Sequence, residues 1–438
     1  MYSKKILNIL KRKKIKIGDE IEVIKNKKSY KGILMPRIEL GDKNCIVLKL
    51  ENGYNIGISS ENVKIKLIKK GKKIKFEPSK IRLMRDKNKR DISILGCGGT
   101  IASRIEYKTG AVFPAFSPSD LIQTFPELKK IANIHSKKIF DLLSEDMTPK
   151  HWQKIAKEVA KEIKNKKDGI ILMHGTDTMH YTSAALSFML QNLPVPVILV
   201  GAQRSSDRGS SDNQMNLNCA ALAAAKSDIA EVSICMHGTI NDDFCYLHQG
   251  THARKLHTSR RDAFRSIDVL PYAKVWYEKN KITYLRKDFN KRDEKRKLKL
   301  DTKINPNVAL VYSYPGIKPE FFKSLRKYDG IVLAGTGLGH VSTSVIDELK
   351  SLIKSGIPVV MAPQTIYGRI NMNVYKTGRL LKEIGVIGDY CNWTPETALV
   401  KLMWVLGHTK NMKKIRDMML TNYVGEISKR SIIRGFLI

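Results

Sequence analysis

Asp91-Ile92-Ser93-Ile94-Leu95-Gly96-Cys97-Gly98-Gly99-Thr100-Ile101-Ala102-Ser103 is the stretch on which the fold turns. It opens as a short apolar run and ends in adjacent glycines. A continuous apolar run, without polar alternation, suits a strand covered on both faces. Adjacent glycines permit a tight turn and a close approach of backbone to a ligand. Open α/β sheets bind ligands outside the carboxyl ends of their strands. Cys97 and Thr100 therefore stand where chemistry is expected. Taken alone, the loop reads equally well as a phosphate cradle or a plain turn. It lacks the G-x-G-x-x-G spacing of a dinucleotide site.

Downstream the chain keeps a strand, loop, helix rhythm. Thr148 is placed to cap a helix and Pro149 suits its first turn. Trp152, Ile155, Ala156, Val159, Ala160 and Ile163 then recur on one helical face. Gly169–Met173, Val195–Val200 and Val232–Met236 are short apolar runs, with helices expected over Asp177–Gln191 and Asn213–Ala225. This alternation predicts a parallel sheet with right-handed crossovers. The charged stretch Lys287–Lys299 reads as an interdomain connection or an exposed insertion. The rhythm resumes with Val308–Tyr312, Gly330–Ala334, a helix over Thr343–Lys354, and Pro358–Met361. Helices over Pro395–Leu406 and Lys410–Leu420 close the chain.

Upstream the pattern is different. Ile21–Ile24, Gly32–Met35, Ile46–Leu50, Asn55–Ile58 and Val63–Ile68 are short β-prone runs separated by turn residues such as Glu51-Asn52-Gly53. They predict a small antiparallel barrel of the SH3-like sort, followed by a charged linker over Arg82–Arg90. The expected organisation is a small β-barrel domain over 1–85, an α/β domain over 91–285 carrying the site, and a second α/β domain over 300–438.

The 438 residues carry a formal net charge of +36. Residues 1–90 hold roughly 27 basic and 9 acidic side chains, about half of that excess. Such a field favours polyanionic partners such as RNA. A lysine-rich, thermally adapted surface would give the same composition. No segment approaches the roughly 18 apolar residues of a membrane helix. The N-terminus reads as a short amphipathic helix followed by the basic run Lys11–Lys14, not as a secretory signal. A cytoplasmic protein without membrane contact is expected. Six scattered cysteines without C-x-x-C spacing imply reduced thiols. Cys235, Cys245 and His237 come nearest to a metal cluster and read more simply as buried strand and loop residues, so no metal is expected.

Two further features carry potential chemistry. His174-Gly175-Thr176-Asp177-Thr178 follows a strand and opens a helix, where Asp beside Thr can equally be a cap. Lys255 lies in Thr251-His252-Ala253-Arg254-Lys255-Leu256-His257-Thr258-Ser259, a polar, loop-like segment. A lysine lowered by burial and neighbouring cations can serve as a base, although most lysines in so basic a chain are solvated.

Together, Cys97–Ser103 and His174–Thr178 resemble the paired T-G-G-T-I-A and H-G-T-D-T signatures of the bacterial-type L-asparaginase family. The resemblance continues through Val200-Gly201-Ala202, Lys255 and Ala334-Gly335-Thr336-Gly337, covering roughly 91–438. It implies two asparaginase-like parallel-sheet domains and an amidohydrolase. It puts the nucleophile at the first motif's leading threonine, which is Cys97 here. Thr176, Asp177 and Lys255 form the other half of the site. Tyr107 matches a mobile-loop tyrosine, Ser144 and Glu145 match the holders of the substrate's α-amino and carboxylate groups, and Thr100 joins the substrate-binding set. Amide cleavage needs a nucleophile, a base and oxyanion donors, and this set supplies the first two. The cysteine leaves three readings open. Its thiol attacks, Thr100 takes over, or amidase activity is weak and the chain is a scaffold.

The first 90 residues narrow the family further. Gly18–Val23, Lys31–Arg37 and Gly53–Gly57, with Ser103–Val112 and Pro363–Arg369, resemble the D-subunit branch of the archaeal glutamyl-tRNA(Gln) amidotransferases. That resemblance implies hydrolysis of glutamine or asparagine. The ammonia passes to a partner E subunit that uses ATP and Mg to make Gln-tRNA(Gln). It also implies a D2E2 assembly around a homodimer of this chain, with tRNA bound mainly through the partner and no cofactor in this chain. A stand-alone cytoplasmic L-asparaginase and a non-catalytic RNA-binding scaffold are the competing expectations.

Overall fold

In the structure, a computed structural model, residues 2–36, 42–71, 85–99, 103–105, 112–114, 121, 125–204 and 210–436 are described. At the N-terminus Ser3 caps helix α1 (Lys4–Arg12), which buries Ile6 and Leu10. Five strands follow: β1 (Glu20–Lys25), β2 (Lys28–Leu34), β3 (Cys45–Lys49), β4 (Asn55–Ser59) and β5 (Lys64–Lys69). They form one antiparallel sheet in the order β4-β3-β2-β1-β5. Side chains of a strand alternate between faces. Ile21, Val23, Leu34, Ile46, Leu48 and Ile65 accordingly share one apolar face beneath α1. This is the small antiparallel β domain that the turn-punctuated sequence predicts. Among the described residues its edge strands β4 and β5 do not pair with each other. The Tyr54 hydroxyl meets Ser210 Oγ of the main body at 2.7 Å.

The main body is built on β6 (Asp91–Gly98), β7 (Asn133–Leu142), β8 (Gly169–Met173), β9 (Val197–Val200), β10 (Val232–His237) and β11 (Cys245–Gln249), a small hairpin of β12 (Ala253–Lys255) and β13 (Phe264–Ser266), then β14 (Ala273–Trp276) and β15 (Lys281–Tyr284). Eight of these make a sheet in the order β15-β14-β11-β10-β9-β8-β6-β7. The five from β7 to β10 are parallel, as the alternating pattern predicts. The other three run antiparallel, joined without the crossover helices that parallel pairing requires.

Helices α2 (Pro149–Lys164), α3 (Met179–Met189) and α4 (Asn213–Lys226) cover the sheet. Thr148 caps α2 reciprocally with His151, its N–H donating to His151 Nδ1 at 3.0 Å. Strand parity divides β6 between two cores. Leu95 and Cys97 join Trp152, Ile155 and Val159 of α2. Ile92 and Ile94 join Leu217, Ala220 and Ala224 of α4. Each large apolar side chain so buried contributes about 1.5–3 kcal/mol relative to exposure.

The C-terminal unit has a parallel three-stranded sheet of β16 (Val308–Tyr312), β17 (Gly330–Gly335) and β18 (Val359–Pro363). Around it lie α5 (Ile346–Lys354), α6 (Lys376–Glu383), α7 (Pro395–Leu406) and α8 (Met412–Leu420). Helix α7 packs on α3, and the Phe188 and Trp404 rings stack at 5.8 Å. The two α/β units thus share one hydrophobic core. Lys401 of α7 is fully buried, as is Glu426, and the pair meets at 2.5 Å. The ammonium also donates to the carbonyls of Met419 and Thr421 at 2.7 and 2.6 Å. Glu426 accepts the N–H groups of Tyr423 and Val424. The network fastens the C-terminal segment to α7.

Removing one member of a buried, fully bonded pair leaves the other charge uncompensated, at a cost of about 3–5 kcal/mol. Lys401→Met is expected to lower stability by that amount in urea titrations at neutral pH. Four buried histidines make a second expectation. Burial pulls His174 and His252 down to about 4, and His180 and His248 down to about 3. They are neutral in the fold, while the unfolded chain protonates below about pH 6.5. Stability should be full above that pH and decline as pH falls from 6.5 towards 4, by up to about 1.4 kcal/mol per unit per histidine. The urea midpoint at pH 5 is expected well below that at pH 7.5.

Candidate active site

Strands β6 and β8 are parallel neighbours, with Gly96 opposite Met173, so the loops beyond them start side by side. Gly98 and Gly99 hold φ of +100° and +87°, which glycine adopts without penalty. Space imposes a second requirement. A Cβ on Gly99 would stand 2.6 Å from the Gly175 nitrogen, and one on Gly175 would stand 2.8 Å from Ser144 Cβ. Three segments therefore close on one another through glycines, at the carboxyl edge of the sheet. The Thr178 hydroxyl adds a bond to the Ser144 carbonyl at 2.6 Å.

Lys255 enters this junction from β12. Its Nζ donates to Thr176 Oγ1 at 2.9 Å and to Asp177 Oδ1 at 2.6 Å. The lysine side chain is 9% exposed, whereas that of Asp177 is 66% exposed. Thr176 is buried. The arrangement is a hydroxyl held against an amine, beside a carboxylate that faces outward. The outward oxygen of Asp177 is available to a cationic group of a ligand. Behind the triad lies His174. Its Nδ1 meets the Gly175 carbonyl at 2.6 Å, and its Nε2 meets the Thr182 hydroxyl at 2.9 Å. Trp152 Nε1 donates to the same hydroxyl at 3.0 Å.

The residue next to the lysine reaches into the other α/β unit. Arg254 pairs with buried Glu396 of α7 at 2.9 Å. Thr397 Oγ1, one residue on, donates to the Thr251 carbonyl at 2.7 Å. The C-terminal unit thereby anchors the strand that carries Lys255. Nothing in the sequence signals Glu396, which is 142 positions from Arg254 and looks like an ordinary first-turn acid.

The expected site residues fall into three groups. Thr176, Asp177 and Lys255 are together, and Ser144 abuts them through Gly175, with Glu145 exposed beside it. Thr100 and Tyr107 lie outside the described residues. Cys97 is elsewhere. It is fully buried with Leu95 and Trp152 on the core face of β6. Burial pushes its thiol far above the ordinary range. The attacking species of a cysteine is the thiolate, which this apolar site disfavours. Among the described residues no hydrogen-bonding base touches the sulfur. The expectation that Cys97 is the nucleophile is therefore corrected, because strand parity turns it into the core. The segment Thr251–Ser259 is also not wholly a loop, since Ala253–Lys255 pairs with Phe264–Ser266.

Among the described residues no group of three or more His, Cys, Asp or Glu side chains could hold a metal, and no helix is long and apolar enough to cross a membrane. Cys97→Ala is expected to keep glutamine hydrolysis within a few-fold of wild type while costing about 1 kcal/mol from the lost packing. Native protein should resist iodoacetamide at Cys97, read by peptide mass spectrometry. Alkylation there with matching loss of activity would reverse the assignment.

Comparison with known proteins agrees with this architecture. An "Asparaginase, N-terminal" family model matches residues 91–289, and a "Glutaminase/Asparaginase C-terminal domain" model matches 307–419. A "GatD N-terminal domain" model matches 15–68. The D subunit of the glutamyl-tRNA(Gln) amidotransferase of Pyrococcus furiosus is 50% identical over 99% of this chain and 100% of its own length. That of Methanosphaera stadtmanae is 49% identical over 97% of each. Among solved structures, the thermostable L-asparaginase of Thermococcus kodakarensis superposes with a TM-score of 0.69 at 32% identity, covering 78% of this chain and 100% of that one. L-asparaginase I of Vibrio cholerae gives 0.67 at 29% identity, covering 78% and 99%. With near-complete coverage at half identity, and with all three domain models in register, this chain belongs to the family of glutamyl-tRNA(Gln) amidotransferase D subunits.

Proposed function

We propose that this chain is the amide-hydrolysing component of a tRNA-dependent amidotransferase. It cleaves the side-chain amide of glutamine or asparagine, and a partner E subunit uses the ammonia. That partner, with ATP and Mg, converts Glu-tRNA(Gln) to Gln-tRNA(Gln). The observation that carries the reading is the Lys255 amine held between Thr176 and Asp177. A D2E2 assembly around a dimer of this chain, in the cytoplasm, fits the same reading. We assign no cofactor to this chain.

The chemistry follows from the groups present. The substrate ammonium sits against the outward oxygen of Asp177, with Ser144 and Glu145 beside it. With Cys97 turned into the core, attack falls to Thr100, the alternative nucleophile of the first motif. Its neighbour Gly99 packs on Gly175, one residue from Thr176. As the Thr100 oxygen bonds to the amide carbon, its proton passes through the Thr176 hydroxyl to the Lys255 nitrogen. The same proton returns to the departing nitrogen, and ammonia leaves. Water then attacks the ester by the reverse relay, releasing the acid and restoring Thr100. A hydroxyl is a weak nucleophile at neutral pH, so the relay is where the rate is decided.

The test is reconstitution with the partner subunit, Glu-tRNA(Gln), ATP and glutamine, following both ammonia and Gln-tRNA(Gln). Coupled formation of the two is expected. Lys255→Ala and Thr176→Ala should each lower kcat by about 10²–10⁴-fold, the range for loss of a proton-transfer group. Thr100→Ala should abolish any trapped acyl-enzyme. Hydrolysis at the same rate without tRNA and partner, with no Gln-tRNA(Gln) formed, would instead mark a free-standing L-asparaginase.

A further inference from the structure

One surface remains unused by this reading, and its charge is ordered. Lys150, Lys154, Lys157, Lys161 and Lys164 recur along α2 at intervals of four and three. All five are exposed. At 100° per residue they fall within one narrow stripe, opposite the buried face of Trp152, Ile155, Ala156 and Val159. The stripe runs about 21 Å, fourteen residues at 1.5 Å each. The core explains the buried face. It does not require the opposite one to be uniformly cationic, since exposed helix positions accept either sign.

The lysines are not all equivalent. Lys161 shares Glu158 with Lys137, and Lys154 donates to the Ile139 carbonyl. Among the described residues Lys150, Lys157 and Lys164 have no carboxylate partner. The charged stretch left unexplained by the sequence ends beside this ridge. Gln153 Nε2 donates to the Thr302 carbonyl at 2.8 Å, bringing exposed Lys299 and Lys303 to its flank. Between ridge and Leu300 lies an open groove of about 510 Å³ with no aromatic lining.

We propose that this ridge and groove bind the sugar–phosphate backbone of RNA, as a tRNA contact made by this chain itself. The inference rests on the amidotransferase reading above, which makes a tRNA the shared substrate of the assembly. Three lysines without a carboxylate partner, spaced along a ridge beside a groove that no aromatic side chain lines, suit phosphates, not bases, so the contact is independent of sequence. It supplies affinity and orientation, and leaves recognition of the tRNA to the partner.

The probe is a tRNA(Gln) transcript bound to the full chain in filter assays at stepped KCl concentrations. The variant Lys150→Glu/Lys157→Glu/Lys164→Glu is compared with Lys323→Glu/Lys350→Glu/Lys354→Glu, which changes net charge equally on another face. The ridge variant should bind about tenfold or more weakly and lose roughly 2–3 from the slope of log affinity against log salt. The control should lose far less, and both should hydrolyse glutamine like wild type. The corresponding Lys→Gln ridge variant, which adds no repulsion, should show the same ranking. Equal weakening by ridge and control, or none by the ridge, overturns the proposal. So does ridge-dependent binding to phosphatidylserine vesicles that matches binding to tRNA. Wild-type chain that couples ammonia to Gln-tRNA(Gln) while the ridge variants bind normally refutes the ridge alone. Absence of coupling in wild type refutes the functional reading itself.

Discussion

Lys255 reaches from a three-residue strand to two side chains on the loop beyond β8, and the surrounding structure is arranged so that this reach is possible. The amine is nearly buried while its carboxylate partner is largely in water. Such a pair adds little to stability, because the partner remains solvated and the ammonium has lost hydration. Its worth lies in position. It fixes Thr176 Oγ1 within hydrogen-bond reach of an amine and leaves most of the Asp177 carboxylate in solvent. Glycines at 99 and 175 serve the same end, since side chains there would force the strand-end loops apart.

The lysine strand is itself held from outside its own sheet. Arg254 is tied to Glu396, and Thr251 to Thr397, both on the first turn of α7. Helix α7 in turn packs against α3, which starts two residues after Asp177. The second α/β unit is thus a brace for the strand that carries Lys255. Holding such groups in place matters wherever they must meet, since small displacements are costly.

Much of this is legible in the sequence. The apolar runs at Gly169–Met173 and Val197–Val200 are strands because side chains buried on both faces leave no polar alternation. Thr148-Pro149 starts α2 because the cap and the fixed proline φ agree. Thr176, Asp177 and Lys255 emerge only as a set, through resemblance, because each alone looks like a cap or a solvated side chain. Cys97 misleads by its place in the motif, although strand parity holds the answer. It lies two residues from Leu95 and shares its core-facing side. Strands β14 and β15 carry no clear signal, since Lys274, Lys281 and Tyr284 dilute the alternation on an outer edge. Glu396 is invisible because its partner is set by tertiary packing.

The common core of the two α/β units bears on how such a chain can change over generations. Phe188 and Trp404 stack across the join, so enlarging either demands a matching loss on the other side. The two halves therefore cannot be altered independently across this join without refitting it. Among the described residues the N-terminal sheet has an apolar core of its own, and the Tyr54 hydroxyl meets Ser210 of the body. Its own packing is thus complete without the side chains that join the two α/β units.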